Sequence, residues 1–200
     1  MSMPVQGSAQ SEDKSDILAF VAGEAKALDR LVMRHKDRIF NLCFRLLGDH
    51  SDAEECAQEV FVKVFRSLKT FRLESSFSTW LYAIAVNTCK NKRNSAEYRF
   101  WRRVLRFGQN SREEESAADF EFEDPSASAL EQISEKEQES LLQAAINSLS
   151  YDHRTVIVLR HIEELSYEEI CGITGYNSGT LKSKLARARM ELQKQLKKDT

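Results

Sequence analysis

Apolar residues recur at three- and four-residue steps along most of the chain, the spacing of helices that each bury one side. Ile17, Leu18, Phe20 and Val21 predict a short amphipathic helix from Asp16 that ends near Gly23. In the longer helix that follows, Ala27, Leu31, His35, Ile39, Leu42, Cys43, Leu46 and Leu47 share a face until Gly48 closes the run. Ser51 and Glu54 spell a capping box for a third helix, whose inward residues are Ala53, Cys56, Ala57, Val60, Phe61, Val64, Phe65 and Leu68. A loop from Phe71 to Phe77, anchored by its two phenylalanines, delivers the chain to a helix over Phe77–Asn94 with Ser78 as its expected cap.

The first half of that fourth helix turns Trp80, Leu81, Ile84, Ala85 and Val86 toward a core, and its second half is amides and cations: Asn87, Thr88, Lys90, Asn91, Lys92, Arg93 and Asn94. Such a mixture reads base edges and neutralises phosphates, and an aromatic beside it can stack on an unpaired base. On Arg99–Arg106 aromatics alternate with arginines, as a phosphate-tracking tail or as a helix snorkelling over apolar surface. Residues 109–136 then lose apolar periodicity, and Ser, Glu, Asp and Ala dominate. Periodicity returns with Leu141, Leu142, Ala145, Ile146 and Leu149, and Ser150 caps a helix carrying Val156, Ile157, Val158 and Leu159. Ser166 and Glu169 form a second capping box, Gly175 makes a turn, and from Asn177 or Ser178 a long basic helix buries Leu181, Leu185, Ala188 and Leu192. Capped helix, glycine turn and basic amphipathic helix make a helix-turn-helix, whose second helix enters the major groove.

With seven glycines and two prolines there is little room for the turns of a β-sandwich, and the expected class is all-α. The expected organisation is a flexible tail (1–15), a first helical domain (16–108), an acidic flexible linker (109–133) and a second helical domain holding the helix-turn-helix (134–200). A net charge of −2 would argue against a nucleic-acid partner, but the charge is segregated. Lys90–Arg106 carries +6, Glu113–Glu139 carries −10 and Thr180–Lys198 carries +6.

The chemistry-bearing residues exclude more than they offer. Four histidines are scattered, and no nucleophile–base pattern, phosphate-cradling glycine loop or HExxH spacing is present, so no enzyme, metal, cofactor or small-molecule substrate is expected. His35, on an apolar side without a His or Cys at helical spacing, reads as a packed residue. Cys43, Cys56, Cys89 and Cys171 stand far apart in sequence with no CxxC pair; they read as buried free thiols without a resolving partner for oxidant sensing. Without a run of about eighteen apolar residues, neither a signal peptide nor membrane insertion is expected, and the expected location is the cytoplasm.

Taken together, DAEECAQEVFVKVFRSLKTF, FSTWLYAIAVNTCKNKRN and LSYEEICGITGYNSGTLKSKLARAR resemble, in order and spacing, the extracytoplasmic-function sigma factors of bacterial RNA polymerase. The resemblance covers Asp16–Arg106 and Ser134–Lys197. It implies a non-enzymatic factor that brings core polymerase to promoters and helps open the −10 region, with region 2 in the first domain and region 4 in the second. By resemblance, Asp52, Glu55, Gln58, Glu59 and Lys63 would face the β′ clamp coiled coil, and the β flap would be a second polymerase contact. Asn87 with the loop Arg72, Glu74, Ser75 and Phe77 would hold a base flipped from the non-template strand. Trp80 would support that helix end, and Lys90, Asn91 and Arg93 would hold backbone. Gly179, Thr180, Lys182, Ser183, Lys184, Arg187 and Arg189 would meet the −35 element, and the acidic linker would thread the RNA exit path. Relatives often have Gly-Asp where Leu73 and Glu74 stand, and arginine at Lys182 and Lys184; lysine lacks the planar fork that grips guanine. An anti-sigma partner is implied, and the alternative from another class is a sigma-like decoy that titrates such a partner without binding promoters.

Overall fold

A computed structural model describes residues 6–95 and 140–197, and among these every regular element is helical. The first module holds α1 (Gln6–Val21), α2 (Lys26–Leu47), α3 (His50–Ser67), a single 3-10 turn (Leu68–Thr70) and α4 (Phe77–Asn94). The second holds α5 (140–148), α6 (Tyr151–Ile157) continuing into a π-helical segment (Val158–Ile162), α7 (Tyr167–Thr174) and α8 (Ser178–Leu196). The all-α class, the helix-turn-helix of α7 and α8, and two helical modules stand as expected. The sequence between the modules lies outside the described residues, and with it the linker and Arg99–Arg106.

The apolar stripes pack as their spacing requires: Leu31, Ile39, Leu42, Leu46, Val60, Val64, Leu68, Leu81 and Ala85 are wholly buried. Gly48 turns the chain from α2 into α3 in the left-handed conformation (φ 77°), its N–H donating to Phe44 O at 2.8 Å. That turn leaves Asp49 extended, so Asp49 accepts from the Asp52 N–H at 2.9 Å and caps α3. The expected box at Ser51 is thereby displaced by an earlier cap. In the same way Ser76, not Ser78, caps α4, accepting from the Thr79 N–H at 3.0 Å. Phe65 also departs from expectation: it stands at the edge of the narrow buried stripe of α3, remains 57% exposed and meets Phe20 edge-on at 6.1 Å. The boxed cap of α7 and the Asn177 cap of α8 are as read.

The helix expected from Asp16 begins earlier, at Gln6, so much of the tail expected over 1–15 is helical. Its polar composition hides ion pairs with α2. Asp13, 2% exposed, accepts from Arg34 Nη1 at 2.6 Å and lies 3.0 Å from His35 Nε2, which is therefore a packed histidine with a carboxylate partner. Asp16 accepts from Arg34 Nη2 (2.8 Å) and Arg30 Nε (2.7 Å). Burial pushes the Asp16 carboxyl up, but the arginine hydrogen bonds outweigh it and hold it below its ordinary value.

Three of the cysteines, far apart in sequence, meet where α2, α3 and α4 pack. Cys43, Cys56 and Cys89 are wholly buried, and the Cys89 thiol neighbours both others. The expectation of isolated thiols is corrected, since helical packing brings together positions that no sequence spacing links. The neighbouring thiols and burial push Cys89 well up, which keeps it protonated and a poor nucleophile.

The two modules share one continuous apolar core. Around it runs a polar seam. The π turn closes with the Glu163 N–H donating to Val158 O (3.0 Å) and sets the Glu163 side chain, 6% exposed, against the first module. There it accepts from Arg38 Nε at 2.8 Å and from the Tyr82 hydroxyl at 2.6 Å. Buried Arg154 donates to Leu46 O at 2.7 Å, serving the carbonyl end of α2 from across the seam. Tyr151 donates to Val86 O at 2.8 Å, Thr79 to Glu169 at 3.2 Å and Arg45 to Gln143 at 2.9 Å.

Two outcomes follow from these contacts. Because Asp16 is depressed, its contribution to stability is full above the ordinary carboxylate pKa and is lost as pH falls through the folded value. Asp16→Asn should cost about 1 kcal/mol near neutral pH and flatten the acid arm of a stability–pH profile followed by urea melts. Iodoacetamide mapping by mass spectrometry under native conditions should label half-buried Cys171 well before Cys43, Cys56 and Cys89.

Candidate nucleic-acid interface

The acidic face of α3 is built from Glu55, Gln58 and Glu59, all exposed, with half-buried Asp52 and Lys63 beside them. It is not bare. Lys92, from the last turn of α4, places Nζ 3.0 Å from Asp52 Oδ1 and 2.5 Å from Glu55 Oε2. Burial works against the Lys92 ammonium, yet hydrogen bonds to Glu55 and Asp52 outweigh it and raise its pKa. Lys63 pairs with Glu59 at 2.8 Å and donates to the Thr88 hydroxyl at 2.9 Å. Neither Lys92 nor Thr88 stood out in the sequence, where Lys92 is one cation in a run of polar residues.

At the start of α4, Phe71 stacks on Trp80 with centroids 4.7 Å apart, and Phe77 meets both. Phe77 is 4% exposed and packs edge-on against His35 at 5.2 Å, so it forms the floor under the loop and offers no surface of its own. Above it Arg72, Glu74 and Ser75 are exposed, and between them Leu73 adopts a left-handed backbone (φ 57°). Two turns further along α4, Asn87, Lys90 and Asn91 are exposed and Arg93 is half-buried. Asn87 and Lys90 line a small cleft completed by Tyr151, Asp152, Thr155 and Tyr176 of the second module, and Arg93 lies over the Tyr151 ring at 5.3 Å. The polar half of α4 therefore looks at the second module.

On α8, Asn177 caps the first turn by accepting from the Thr180 N–H at 2.8 Å, which leaves Gly179 exposed and Thr180 half-buried. Lys182, Ser183 and Arg187 are exposed together on one side. Two of the expected groove residues are engaged elsewhere. Lys184 is paired with Asp152 at 2.8 Å and sits over Tyr176, and that pairing, against a burial that works the other way, holds Asp152 below its ordinary value. Arg189 donates to His161 at 3.2 Å; burial together with the Arg189 and Arg160 charges pushes His161 down. Behind them an apolar groove of about 650 Å³ runs between α5, the π segment and α8, lined by Leu142, Ile146, Ile157, Ile162, Leu192 and Leu196.

Among the described residues no three His, Cys, Asp or Glu side chains stand together as a metal site, and no helix is long and apolar enough to cross a membrane.

The family described as Sigma-70 region 2 matches residues 31–106, and Sigma-70 region 4 matches residues 139–192. The RNA polymerase sigma-H factor of Pseudomonas aeruginosa is 34% identical over 194 residues, covering 94% of this chain and 95% of its own. The ECF RNA polymerase sigma factor SigW of Bacillus subtilis is 33% identical over 177 residues (88% and 91%), and the ECF RNA polymerase sigma-E factor of Escherichia coli strain K12 is 38% identical over 176 (84% and 85%). Among solved structures, CnrH in complex with the cytosolic domain of CnrY superposes with a TM-score of 0.65 at 22% identity, covering 94% of this chain and 99% of that one, a likeness of fold. The sigma factor RpoE of Bartonella quintana, solved with the anti-sigma factor NepR, superposes with a TM-score of 0.58 at 26% identity, covering 88% and 100%.

Proposed function

The chain belongs to the extracytoplasmic-function sigma factors, and from that premise we propose which surfaces it uses and how it is held in check. As a sigma factor it directs RNA polymerase to promoters and is an initiation factor; its place is the cytoplasm, with the polymerase. Residues 16–108 act as the region 2 domain, 109–133 as the acidic linker and 134–200 as the region 4 domain.

One observation carries the assignment of surfaces: each module ends in a helix with exposed cations and hydrogen-bonding side chains together, Asn87, Lys90 and Asn91 on α4 and Lys182, Ser183 and Arg187 on α8. The acids of α3 meet the cationic surface of the β′ clamp. The loop Arg72–Ser75, over its floor of Phe71, Phe77 and Trp80, and Asn87 receive the flipped base, whose extrusion costs a few kcal/mol. Lys90, Asn91 and Arg93 hold backbone. Lys182, Ser183 and Arg187 read the −35 major groove, with Gly179 and Thr180 at a phosphate; Lys184 and Arg189 join once released from Asp152 and His161. The apolar groove behind α8 suits the apolar side of a β flap helix.

The −10 and −35 elements lie about two helical turns apart, roughly 70 Å along the duplex. Modules sharing one core, with Asn87 and Lys90 turned toward the second, fit a closed state that opens on polymerase. An anti-sigma factor, as RpoE has in NepR, would hold the modules from reaching DNA.

The direct experiment adds the purified protein to sigma-free core polymerase and sequences transcripts from fragmented genomic DNA of its host. Defined starts sharing two upstream motifs are expected. Lys182→Ala should lower −35 discrimination by about 1–3 kcal/mol, and Asn87→Ala should abolish opening with core binding kept. Core binding without defined starts would favour the decoy, and no core binding would sink the clamp assignment. Glu163→Ala, which removes two hydrogen bonds, should weaken the seam by about 2 kcal/mol, read as a larger radius of gyration in solution scattering.

A further inference from the structure

The two lysines that bridge α3 and α4 are held differently. Lys63 has a hydroxyl partner in Thr88, itself 1% exposed, besides its carboxylate Glu59, so losing Glu59 to a partner leaves Lys63 anchored. Lys92 is held through carboxylates: Asp52, whose side chain is 27% exposed, and Glu55, 73% exposed. Both are acids assigned above to the polymerase contact, and Lys92 itself sits one residue from Asn91 and Arg93, which are assigned to the DNA backbone. The same ammonium thus stands between two interfaces.

The geometry points to Lys92 as a transferable cation: clasped by Asp52 and Glu55 in the free chain, it is displaced when cationic groups of polymerase take those carboxylates, and it then holds a promoter phosphate beside Lys90 and Asn91. The inference rests on the reading that the α3 acids meet polymerase. Ion pairs with an exposed partner are weak, up to about 1 kcal/mol, so a docking surface carrying several cations outcompetes one lysine. Once the carboxylates are neutralised by that surface, Lys92 faces like charge and loses its reason to stay. Its four-carbon stem lets the ammonium swing without moving the helix. By linkage, polymerase that frees Lys92 strengthens DNA binding, and DNA that captures Lys92 strengthens polymerase binding by the same factor. Folded alone, the chain hides the cation, which lowers stray affinity for DNA until polymerase is present.

Two measurements on the full chain test this. In the first, brief acetylation with acetic anhydride is followed by mass spectrometry, free and bound to core polymerase, with Lys26, exposed and on none of the assigned surfaces, as the internal reference. Relative to Lys26, Lys92 should label several-fold faster in the complex than in the free chain. In the second, binding of the holoenzyme to a fragment carrying a mapped promoter is followed against salt. Lys92→Gln should reduce the log–log slope by about 0.7–0.9, one phosphate contact, and Lys92→Arg should restore it. Circular dichroism of each variant checks that it folds. Equal protection of Lys92 free and bound, or an unchanged slope in Lys92→Gln, overturns the inference. The underlying polymerase assignment fails separately, if Asp52→Asn with Glu55→Gln leaves affinity for core polymerase unchanged.

Discussion

Glu163 is a carboxylate taken almost wholly out of water, and a charge so placed persists only where its oxygens are answered by donors. The donors come from the other module: Arg38 from α2 and the Tyr82 hydroxyl from α4. Burial and the Glu163 charge push the Tyr82 phenol upward, keeping it a donor. Arg154, 2% exposed, repeats the pattern in reverse, giving a second-module guanidinium to the Leu46 carbonyl at the end of α2. Each module thus carries an unmet polar requirement that its neighbour supplies, and each loses that supply on opening. The loss is tolerable because Arg38 is half-exposed and both members of its pair can return to water. A seam of apolar residues alone would lack that reversibility, and a seam of exposed ion pairs alone would not hold.

The charge segregation along the chain has a spatial counterpart. Cations crowd into α4 and α8, yet many are already engaged: Lys92 with Asp52 and Glu55, Arg93 over Tyr151, Lys184 with Asp152, Arg189 with His161. What stays exposed includes Lys90 on one helix and Lys182, Arg187, Arg189 and Lys194 on the other. Of these contacts only Arg93 over Tyr151 crosses from one module to the other, so packing of the modules covers that end of α4, while Lys92, Lys184 and Arg189 are engaged within their own modules. The net charge of −2 therefore hides cations that are engaged alongside cations that are exposed.

Periodicity made the helices legible, because buried stripes at three- and four-residue steps have few other solutions; the paired turn and basic helix near the C-terminus were equally plain. Caps were less so. Where Asp49 and Ser51, or Ser76 and Ser78, compete two residues apart, the preceding turn decides, and Gly48 set the outcome at the first. Long-range pairs were invisible: nothing in the spacing joins Asp13 to His35, Cys43 to Cys56 and Cys89, or Glu163 to Arg38, because these meet through packing of separate helices. The polar segment before Ile17 looked too poor in apolar residues to order, and it is fixed by Arg30, Arg34 and His35. Of the residues assigned to DNA, Arg72, Glu74, Ser75, Asn87, Lys90, Asn91, Lys182, Ser183 and Arg187 are exposed, while Phe77 is buried and Lys184 and Arg189 are engaged within the fold.

Backbone strain adds a final constraint. Among the described residues, two that are not glycine adopt a left-handed backbone, Leu73 (φ 57°) and Glu164 (φ 57°). An L-residue there costs about 1–2 kcal/mol that glycine would avoid, so its surroundings must impose the geometry. Around Leu73 they do: Phe71 stacked on Trp80 fixes one side of the loop and the Ser76 cap fixes the other. Glu164 follows the π turn that aims Glu163 into the seam. Strain therefore sits at two places where packing sets the shape of the chain, the loop before α4 and the turn after the π segment at the seam. A loop held in this way presents Arg72, Glu74 and Ser75 in a set arrangement, without the entropy loss that a flexible loop would suffer on meeting a partner.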